Sequence, residues 1–541
     1  MPIATTLGAP DWISSGAKIA GGLDLLGLRL PVQFIGGTLL DGVTTVTPSV
    51  RYIALRAWLI SRYGQSGLPD SWTAFTAFAA RLESVLVLGN LIQDRSIAGL
   101  IGAEQAADRL DANTPTLSTA PLVITPAATI YAGPSDQLGV SRARGDAVPG
   151  LIAERGIPLA SIVDKQLSGI PLIQQLFARP NLDAVSLDGL AELGEAVRID
   201  RIPDDERTQL LAAIIPSKPL PQERNRIGTY ASLLALASKL KARPSESDLL
   251  NAACSMGRFG EPLLDQIADG WTTYCVRDSI AVTQEAVLAA IMDEIQATPD
   301  GGLSGVEQSR IIAALLERVE EHSTALRDLE LLNDGESVSD LSYRELYRRV
   351  EARVASGSEK KHGIRRWTSD LIEPRLYKLA MKSGAGALTL AVVAWILVEI
   401  RVGDGARESG EKDESHLSYQ GGRRMGLRNV ILPELERFNR ENRSVREVAA
   451  DLAYRVVHQH LQIAWSRLQV DLTRDVSLLT SEGSKWFSRG KGFGGGRTAS
   501  RLQQALGWLS QLKLVDDNGI TADGASELNR ALAVLAEGGA A

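Results

Sequence analysis

Cysteine is almost absent from this chain of 541 residues, which contains only Cys254 and Cys275. Two cysteines cannot build the disulfide framework of a small secreted domain, and the first residues lack an apolar signal sequence. These absences favour a reducing compartment and predict a cytoplasmic protein. We expect both thiols to be buried in a core as small apolar side chains.

Long apolar runs are also scarce. Residues 384–398 imitate a membrane span with fifteen uncharged positions, but a span needs about 20. Glu399 and Arg401 then close the run abruptly. This segment therefore predicts a buried core helix, and no membrane partner is expected.

The motifs of common catalytic and metal centres are missing as well. No Cys-x-x-Cys, His-Glu-x-x-His or carboxylate cluster accompanies the five histidines, so neither metal nor cofactor is expected. The glycine-rich run 490–498 fails the phosphate-loop pattern, because its spacing differs and Arg497 replaces the lysine. We expect a binding protein rather than an enzyme. A hydrolase with a degenerate site within residues 160–400 is the open alternative.

Aromatic residues make up 5% of the chain, and alternating β-branched runs are few, whereas Leu and Ala abound. This composition predicts a mainly α, multi-domain fold. A long helix is expected over 445–468, with Trp465 on its buried side. The expected domains are 1–165 (helical, winged-helix-like), 166–304 (irregular helical), 305–402 (helical with a basic loop), a polar linker 403–422, and 423–541 (helical plus winged helix).

Acidic residues are absent from 484–513, although the whole chain has a net charge of -7. Apolar spacing predicts a helix over 498–512, Asn518-Gly519 predicts a hairpin, and a second helix is expected over 522–535. A helix, a tight hairpin and a helix behind a basic approach are typical of a winged helix. A weaker version of this pattern near 90–165 suggests a second such module, with an ordinary helix–loop–helix as the alternative.

A winged helix at the end of the chain would have double-stranded DNA as its partner. The glycines before the predicted helix would either let the backbone approach DNA closely or make the loop mobile. We expect the start of the recognition helix to present Arg497, Thr498, Ser500 and Arg501, and nearby phosphates to contact Lys485, Arg489 and Lys491.

Three other basic clusters are candidates for phosphate contacts. Residues 343–382 carry eleven Lys or Arg against five acidic residues, and a solvated loop is the alternative interpretation of their most basic part. Arg51 follows a predicted N-cap, Thr47, and a predicted first helical residue, Pro48, so it would belong either to a phosphate clamp or to a solvated face. The candidates are Lys360, Lys361, Arg365, Arg366, Arg423, Arg424, Arg428 and Arg51.

The phrase LLDGVTTVTPSVRYIALRAWLI, residues 39–60, resembles a segment of proteins from bacterial antiphage defence islands. In those proteins a PG-(I/T)-(T/S)-x-(V/I)-T-x-R-x-R-Y run precedes an aromatic-rich helix. Arg51, Tyr52 and Trp58 match that pattern, whereas Asp41-Gly42 replaces Pro-Gly and Pro48-Ser49 replaces a first arginine. The likeness is strongest to the DNA-recognising subunit of multi-gene systems of the Menshen type. It implies an ATPase and a nuclease as partner subunits and carries over no catalytic residue.

These observations together predict a double-stranded DNA-binding subunit of a bacterial antiphage defence complex. Its phosphate contacts would be largely independent of DNA sequence, and homo-oligomerisation stays open. Two alternatives have different partners: an assembly scaffold whose winged helices bind proteins, and a transcriptional regulator with a preferred operator.

Overall fold

The computed structural model describes residues 24–112, 114–255, 259–355, 359–361, 364–366, 372–408, 430–469, 476–490 and 492–537. The helices are α1 (Arg29–Leu39), α2 (Arg51–Gln65), α3 (Trp72–Gln93), α4 (Ala103–Asp111), α5 (Ala127–Ile130), α6 (Ala132–Gln137), α7 (Gly156–Leu167), α8 (Pro171–Ala178), α9 (Leu187–Ala196), α10 (Asp204–Ile214), α11 (Glu223–Leu240), α12 (Glu246–Cys254), α13 (Asp265–Gln296), α14 (Gln308–Glu317), α15 (Val319–Asp328), α16 (Tyr343–Ala355), α17 (Ile372–Ala380), α18 (Ala387–Glu408), α19 (Leu432–Glu441), α20 (Val445–Leu468), α21 (Leu502–Gln511) and α22 (Ala522–Glu537).

The strands are short and few by comparison, which confirms a mainly α protein. Three 3₁₀ turns complete the regular structure, at Pro262–Leu264, Val338–Asp340 and Gly384–Gly386. The strands are β1 (Thr116–Ser118), β2 (Ser141–Arg144), β3 (Ala147–Leu151), β4 (Ala184–Ser186), β5 (Val306–Glu307), β6 (Glu359–Lys361), β7 (Ile364–Arg366), β8 (Leu479–Glu482), β9 (Lys485–Ser488), β10 (Val515–Asp516) and β11 (Gly519–Ile520).

The chain forms two compact units, each assembled from separated segments. Unit 1 comprises the described residues of Met1–Ile35, Leu250–Gly257 and Asp269–Thr498, and unit 2 those of Gly36–Leu249, Arg258–Ala268 and Ala499–Ala541. The composition of the sequence predicts consecutive domains instead. Consecutive domains follow from local composition, whereas these units depend on pairings between segments that are distant in the chain.

The core of unit 1 is built around α18. Its side chains from Ala387 to Val398 are buried, and Trp395 is among the largest fully buried groups. The helix lies against α15, α16 and α20. By length and composition two helical segments of the described chain would suffice to cross a membrane, Trp72–Gln93 and Gly384–Arg401, but 72% and 89% of their apolar windows are buried inside the protein.

Two features of unit 1 differ from the expected organisation. Helix α18 continues to Glu408, so it enters the segment predicted as a linker, and the rest of that segment lies outside the described residues. Helix α20 has the predicted bounds, but Trp465 is 65% exposed rather than buried. Both cysteines are buried, as expected.

Unit 2 contains two close helix pairs, α2 with α7 and α3 with α9. Glycines permit the second of these crossings. A methyl group at Gly194 would lie 2.1 Å from the Gly89 carbonyl oxygen, and one at Gly89 would lie 2.8 Å from the Leu190 oxygen. Backbones approach here at a distance that no larger residue allows.

The first helix of the resembling segment begins later than predicted. Helix α2 starts at Arg51, and Val50 rather than Thr47 precedes it without a side-chain cap. The Thr47 hydroxyl donates instead to the Thr44 carbonyl at 2.8 Å. Thr47 therefore stabilises the turn before the helix, and the predicted N-cap and the predicted position of Pro48 are wrong.

The region of the second predicted winged helix contains an antiparallel hairpin. Strand β2 pairs with β3 with a register shift between Arg142 and Arg144, and α7 follows the hairpin. Strand β1, which precedes it, pairs with β4. A hairpin and a following helix are thus observed, while the winged-helix interpretation stays a hypothesis.

Replacing Gly194 with alanine tests the close crossing of α3 and α9. We expect Gly194→Ala to lower the free energy of unfolding of unit 2 by roughly 1–3 kcal/mol, because the new methyl group forces the backbones apart. Gly64→Ala is the control, since a methyl group there meets nothing within 4 Å. Urea unfolding of the two variants makes the comparison, and equal stabilities would contradict the crossing.

Candidate nucleic-acid interface

The glycine-rich loop of the basic stretch lies on α13. Residues 492–497 follow the three-stranded sheet in which β9 pairs with both β5 and β8. Glu285 of α13 accepts a hydrogen bond from the Gly496 amide at 3.2 Å and another from Arg29 Nε at 2.6 Å. A side chain at Gly495 would place its Cβ 2.9 Å from that of Glu285. The absence of a side chain at Gly495 therefore allows the loop to lie close to the Glu285 side chain.

The cation that ends this loop is bound by the same helix. Arg497 Nε lies 3.5 Å from Asp278 Oδ2, and its side chain is 33% exposed. The guanidinium also stacks over Tyr377, 4.2 Å from the ring centroid. The Thr498 amide donates to Asp278 Oδ1 at 3.0 Å, and the Tyr274 hydroxyl donates to the Thr498 carbonyl at 2.5 Å. Arg497 and Thr498 are thus held by the protein itself.

Burial changes the acidity of the carboxylates beneath the loop. Burial away from water raises the pKa of Asp278 to about 6, although the Thr498 amide and Arg497 oppose that rise. Burial likewise raises the pKa of Glu285, against hydrogen bonds from Arg29 and Gly496. The cationic loop therefore compensates for two carboxylates that are costly to bury in ionised form.

The predicted start of the recognition helix differs from the structure. Helix α21 begins at Leu502, because Arg501 adopts a left-handed conformation with φ of 66°. Ser500 is buried and its hydroxyl accepts a hydrogen bond from the Leu502 amide at 3.2 Å. Arg501 Nη1 donates to the Val43 carbonyl at 2.9 Å. Thr498 and Ser500 are thus buried, and Arg501 is engaged within unit 2.

The polar face of α21 is also occupied within unit 2. Gln504 donates to the Thr45 carbonyl at 3.0 Å, and Trp508 donates to the Thr47 carbonyl at 2.9 Å. Gln511 forms two further bonds, accepting from the Val50 amide and donating to the Pro48 carbonyl, both at 2.9 Å. This helix therefore binds the backbone of residues 45–50. In the sequence, the helical spacing of Gln504, Trp508 and Gln511 indicates that they share one face of the helix. It does not identify the backbone groups that they bind.

The predicted hairpin after α21 is confirmed, with the predicted turn over residues 516–519. Asp516 pairs with Gly519, so Asp517 and Asn518 form the turn. Gly519 has the positive φ, 105°. A side chain there would place its Cβ 2.6 Å from the Ala237 carbonyl. The hairpin thus lies against the end of α11.

Outside residues 359–366, the remaining predicted cations fall into three groups. Lys485 is exposed on β9, and Arg489 is partly exposed and has partners of its own. Arg51 is buried, pairing through Nε with Glu206 at 3.0 Å, so both its predicted roles, in a solvated face or a phosphate clamp, are wrong. Lys491, Arg423, Arg424 and Arg428 lie outside the described residues.

The basic segment of residues 343–382 contains a hairpin that the sequence did not predict. Strands β6 and β7 pair antiparallel, with Glu359 opposite Arg366, Lys360 opposite Arg365, and Lys361 opposite Ile364. Strand β7 lies beside α18. The four predicted cations Lys360, Lys361, Arg365 and Arg366 therefore occupy one two-stranded ribbon in unit 1.

Two exposed lysines of the basic segment 343–382 directly follow residues that touch the glycine-rich loop. Tyr377, which Arg497 covers, is followed by Lys378. Met381 Sδ would lie 3.2 Å from a Cβ at Gly495 and is followed by Lys382. Both lysines are exposed.

Comparison with known proteins finds no matching family model, curated protein or solved structure. Within the described residues, no group of three or more His, Cys, Asp or Glu side chains is placed to hold a metal ion. The candidate interface is therefore defined by its own geometry and charge.

The raised pKa of Asp278 predicts a pH effect on stability. Its pKa rises from 3.8 to about 6 in the folded protein, so protonation favours folding; this contribution is complete below about pH 4 and is lost as the pH rises through 6. Asp278→Asn cannot titrate. We therefore expect its free energy of unfolding to increase relative to the wild type between pH 4 and pH 7.

Asp300→Asn is the control for this experiment. Hydrogen bonds from Ser304 and Gly302 lower the pKa of Asp300 to about 2, so its charge in the folded protein is constant from pH 4 to pH 7. Urea unfolding, with hydrogen exchange at α13 as the probe, gives the comparison. Parallel pH profiles for the wild type and Asp278→Asn would contradict the assignment.

Proposed function

We propose that this chain is a double-stranded DNA-binding subunit of a bacterial antiphage defence complex, contacting phosphates through unit 1. The observation that carries the proposal is the β6–β7 hairpin, whose register pairs Lys360 with Arg365. Like charges at directly opposite positions of an antiparallel pair are unfavourable by themselves. A polyanion relieves that repulsion, and a two-stranded ribbon has the width that the major groove admits.

Exposed cations elsewhere in unit 1 add to the positive charge of this unit. Lys378, Lys382 and Lys485 are exposed, and Arg497 keeps a third of its side chain accessible. Arginines on α16 and α17 pair with nearby acids: Arg349 with Glu336 at 2.6 Å and Arg375 with Glu330 at 3.0 Å. The hairpin adds Lys360, Lys361, Arg365 and Arg366 to the basic residues of unit 1.

The setting in a defence complex rests on the resemblance of residues 39–60. In this chain, part of that segment, residues 45–50, is bound by α21 through backbone carbonyls and one amide. Its role in the fold is therefore structural, and the resemblance supports the biological setting rather than a DNA contact. An ATPase and a nuclease are the partner subunits that it implies, and a cytoplasmic location fits a target that is invading DNA.

One observation favours a second candidate function, a protein-binding scaffold. The C-terminal helix, hairpin and helix make intramolecular contacts with residues 45–50 and with α11. A module of this kind that recognises polypeptide backbone inside its own chain is suited to binding a partner protein. Retained DNA affinity together with lost partner co-purification, after changes in α22, would favour this function.

Neutralising the hairpin tests the DNA proposal. The variant carries Lys360→Gln, Lys361→Gln, Arg365→Gln and Arg366→Gln, and fluorescence anisotropy measures its binding to a 25-base-pair duplex over a series of salt concentrations. Each lost phosphate contact reduces the log–log salt slope by about 0.9. We expect weaker binding and a slope that is flatter by about 3 to 4. Two unrelated duplex sequences should bind equally well, whereas a strong preference would favour a regulator.

A charge-matched variant in unit 2 is the control. It carries Arg179→Gln, Lys218→Gln, Lys241→Gln and Arg243→Gln, all at exposed positions, and so loses the same charge. We expect its affinity and salt slope to stay near those of the wild type. Equal losses in the two variants would show that only the total charge matters and would reject the hairpin as the interface.

A further inference from the structure

A polar groove runs along α20 in unit 1, next to α19. Its volume is about 340 Å³, and its lining includes Arg437, Asp451, Arg455, His458 and Gln462. The opposite face of α20 is buried through Val448, Leu452 and Val456. The groove therefore belongs to the solvent side of a helix that is otherwise fixed in the core.

Arginines exceed carboxylates in the ion-pair network at this groove. Arg437 bonds both Glu434, at 2.7 Å, and Asp451, at 3.1 Å. Arg455 bonds Glu434 at 2.9 Å, and Arg443 bonds Asp451. Three guanidinium groups thus share two carboxylates, which leaves a net positive charge. Since these contacts already orient the guanidiniums, they lose little side-chain freedom on meeting a phosphate.

An exposed tryptophan continues the same side of α20. His458, Gln462 and Trp465 follow one another at helical spacing, and all are exposed. Trp465 is 65% exposed, whereas Trp58, Trp271, Trp395, Trp486 and Trp508 are fully buried. No other large apolar side chain of the described residues 430–490 is exposed. A single aromatic ring among polar groups favours stacking of a planar polar ligand over docking of an apolar protein surface.

We propose that this side of α20 binds single-stranded nucleic acid, with phosphate at Arg437 and Arg455 and a base stacked on Trp465. Ten residues separate Arg455 from Trp465, which corresponds to a rise of about 15 Å along the helix, enough for a short run of nucleotides. Cationic grooves with aromatic stacking platforms bind single strands without sequence preference. The inference extends the proposed function, because a duplex opened by partner subunits would supply the strand, but it uses different residues.

The test measures binding of a fluorescent oligo-dT to the full chain by anisotropy. Trp465→Ala should weaken this binding about tenfold, because stacking of one base is lost, and leave the affinity for duplex unchanged. Trp465→Phe should restore most of the affinity. Leu303→Ala, which removes another exposed apolar side chain of unit 1 (66% exposed), should change neither affinity.

The outcomes separate this inference from the proposed function. Unchanged oligo-dT binding in Trp465→Ala overturns the single-strand site, and loss of a co-purifying protein in that variant with oligo-dT binding intact identifies a protein interface instead. If duplex binding is absent but oligo-dT binding depends on Trp465, the single-strand site stands and the duplex proposal fails. Loss of oligo-dT binding in the hairpin variant alone would also overturn the site.

Discussion

The contact between Asp278 and the Arg497–Thr498 segment determines how the basic stretch can act. A carboxylate that is fully buried on α13 holds the Thr498 amide at 3.0 Å, and Glu285 on the same helix holds Gly496. The chain passes from unit 1 to unit 2 directly after Thr498. The glycine-rich loop is therefore fixed at its end before α21 begins, and its last cation is shared with the protein's own acid.

Other arginines of the protein also form ion pairs with the protein's own carboxylates. Arg51 pairs with Glu206, and Arg401 pairs with Glu373 in the core of unit 1. Buried charges of this kind need a partner because an isolated ion is costly to remove from water. This requirement explains the internal pairing of Arg51 and Arg401, and the ligand surfaces proposed above, the β6–β7 hairpin and the groove on α20, use other basic residues.

Periodicity and turn chemistry predicted the local elements well. The bounds of α20, the helix over 522–535 and the hairpin after α21 follow from apolar spacing and Asn-Gly, which act over a few residues. The partners of Arg51, Arg501 and Trp508 were not predictable in this way, since Glu206, Val43 and Thr47 are far away in the chain. Apolar spacing also predicted, wrongly, that Trp465 is buried. Periodicity shows which residues share one face of a helix, but it does not show how much of that face other elements cover.

These corrections move the expected DNA contact from α21 to the β6–β7 hairpin. An α21 whose polar side chains bind residues 45–50 is unsuited to reading bases, whereas a basic ribbon in unit 1 suits contacts that are independent of sequence. A protein with a net charge of -7 can still bind a polyanion, provided that its unpaired cations are concentrated in one place. In the proposed function the ligand surfaces belong to unit 1, while the C-terminal module, which binds backbone within its own chain, belongs to unit 2.

Hydrogen exchange of the full chain with and without a DNA duplex tests this account most directly. The account predicts that duplex slows exchange in residues 359–366 and leaves exchange in residues 502–511 unchanged. Slowed exchange in 502–511 with no change in 359–366 would contradict it and restore α21 as the DNA-contacting helix.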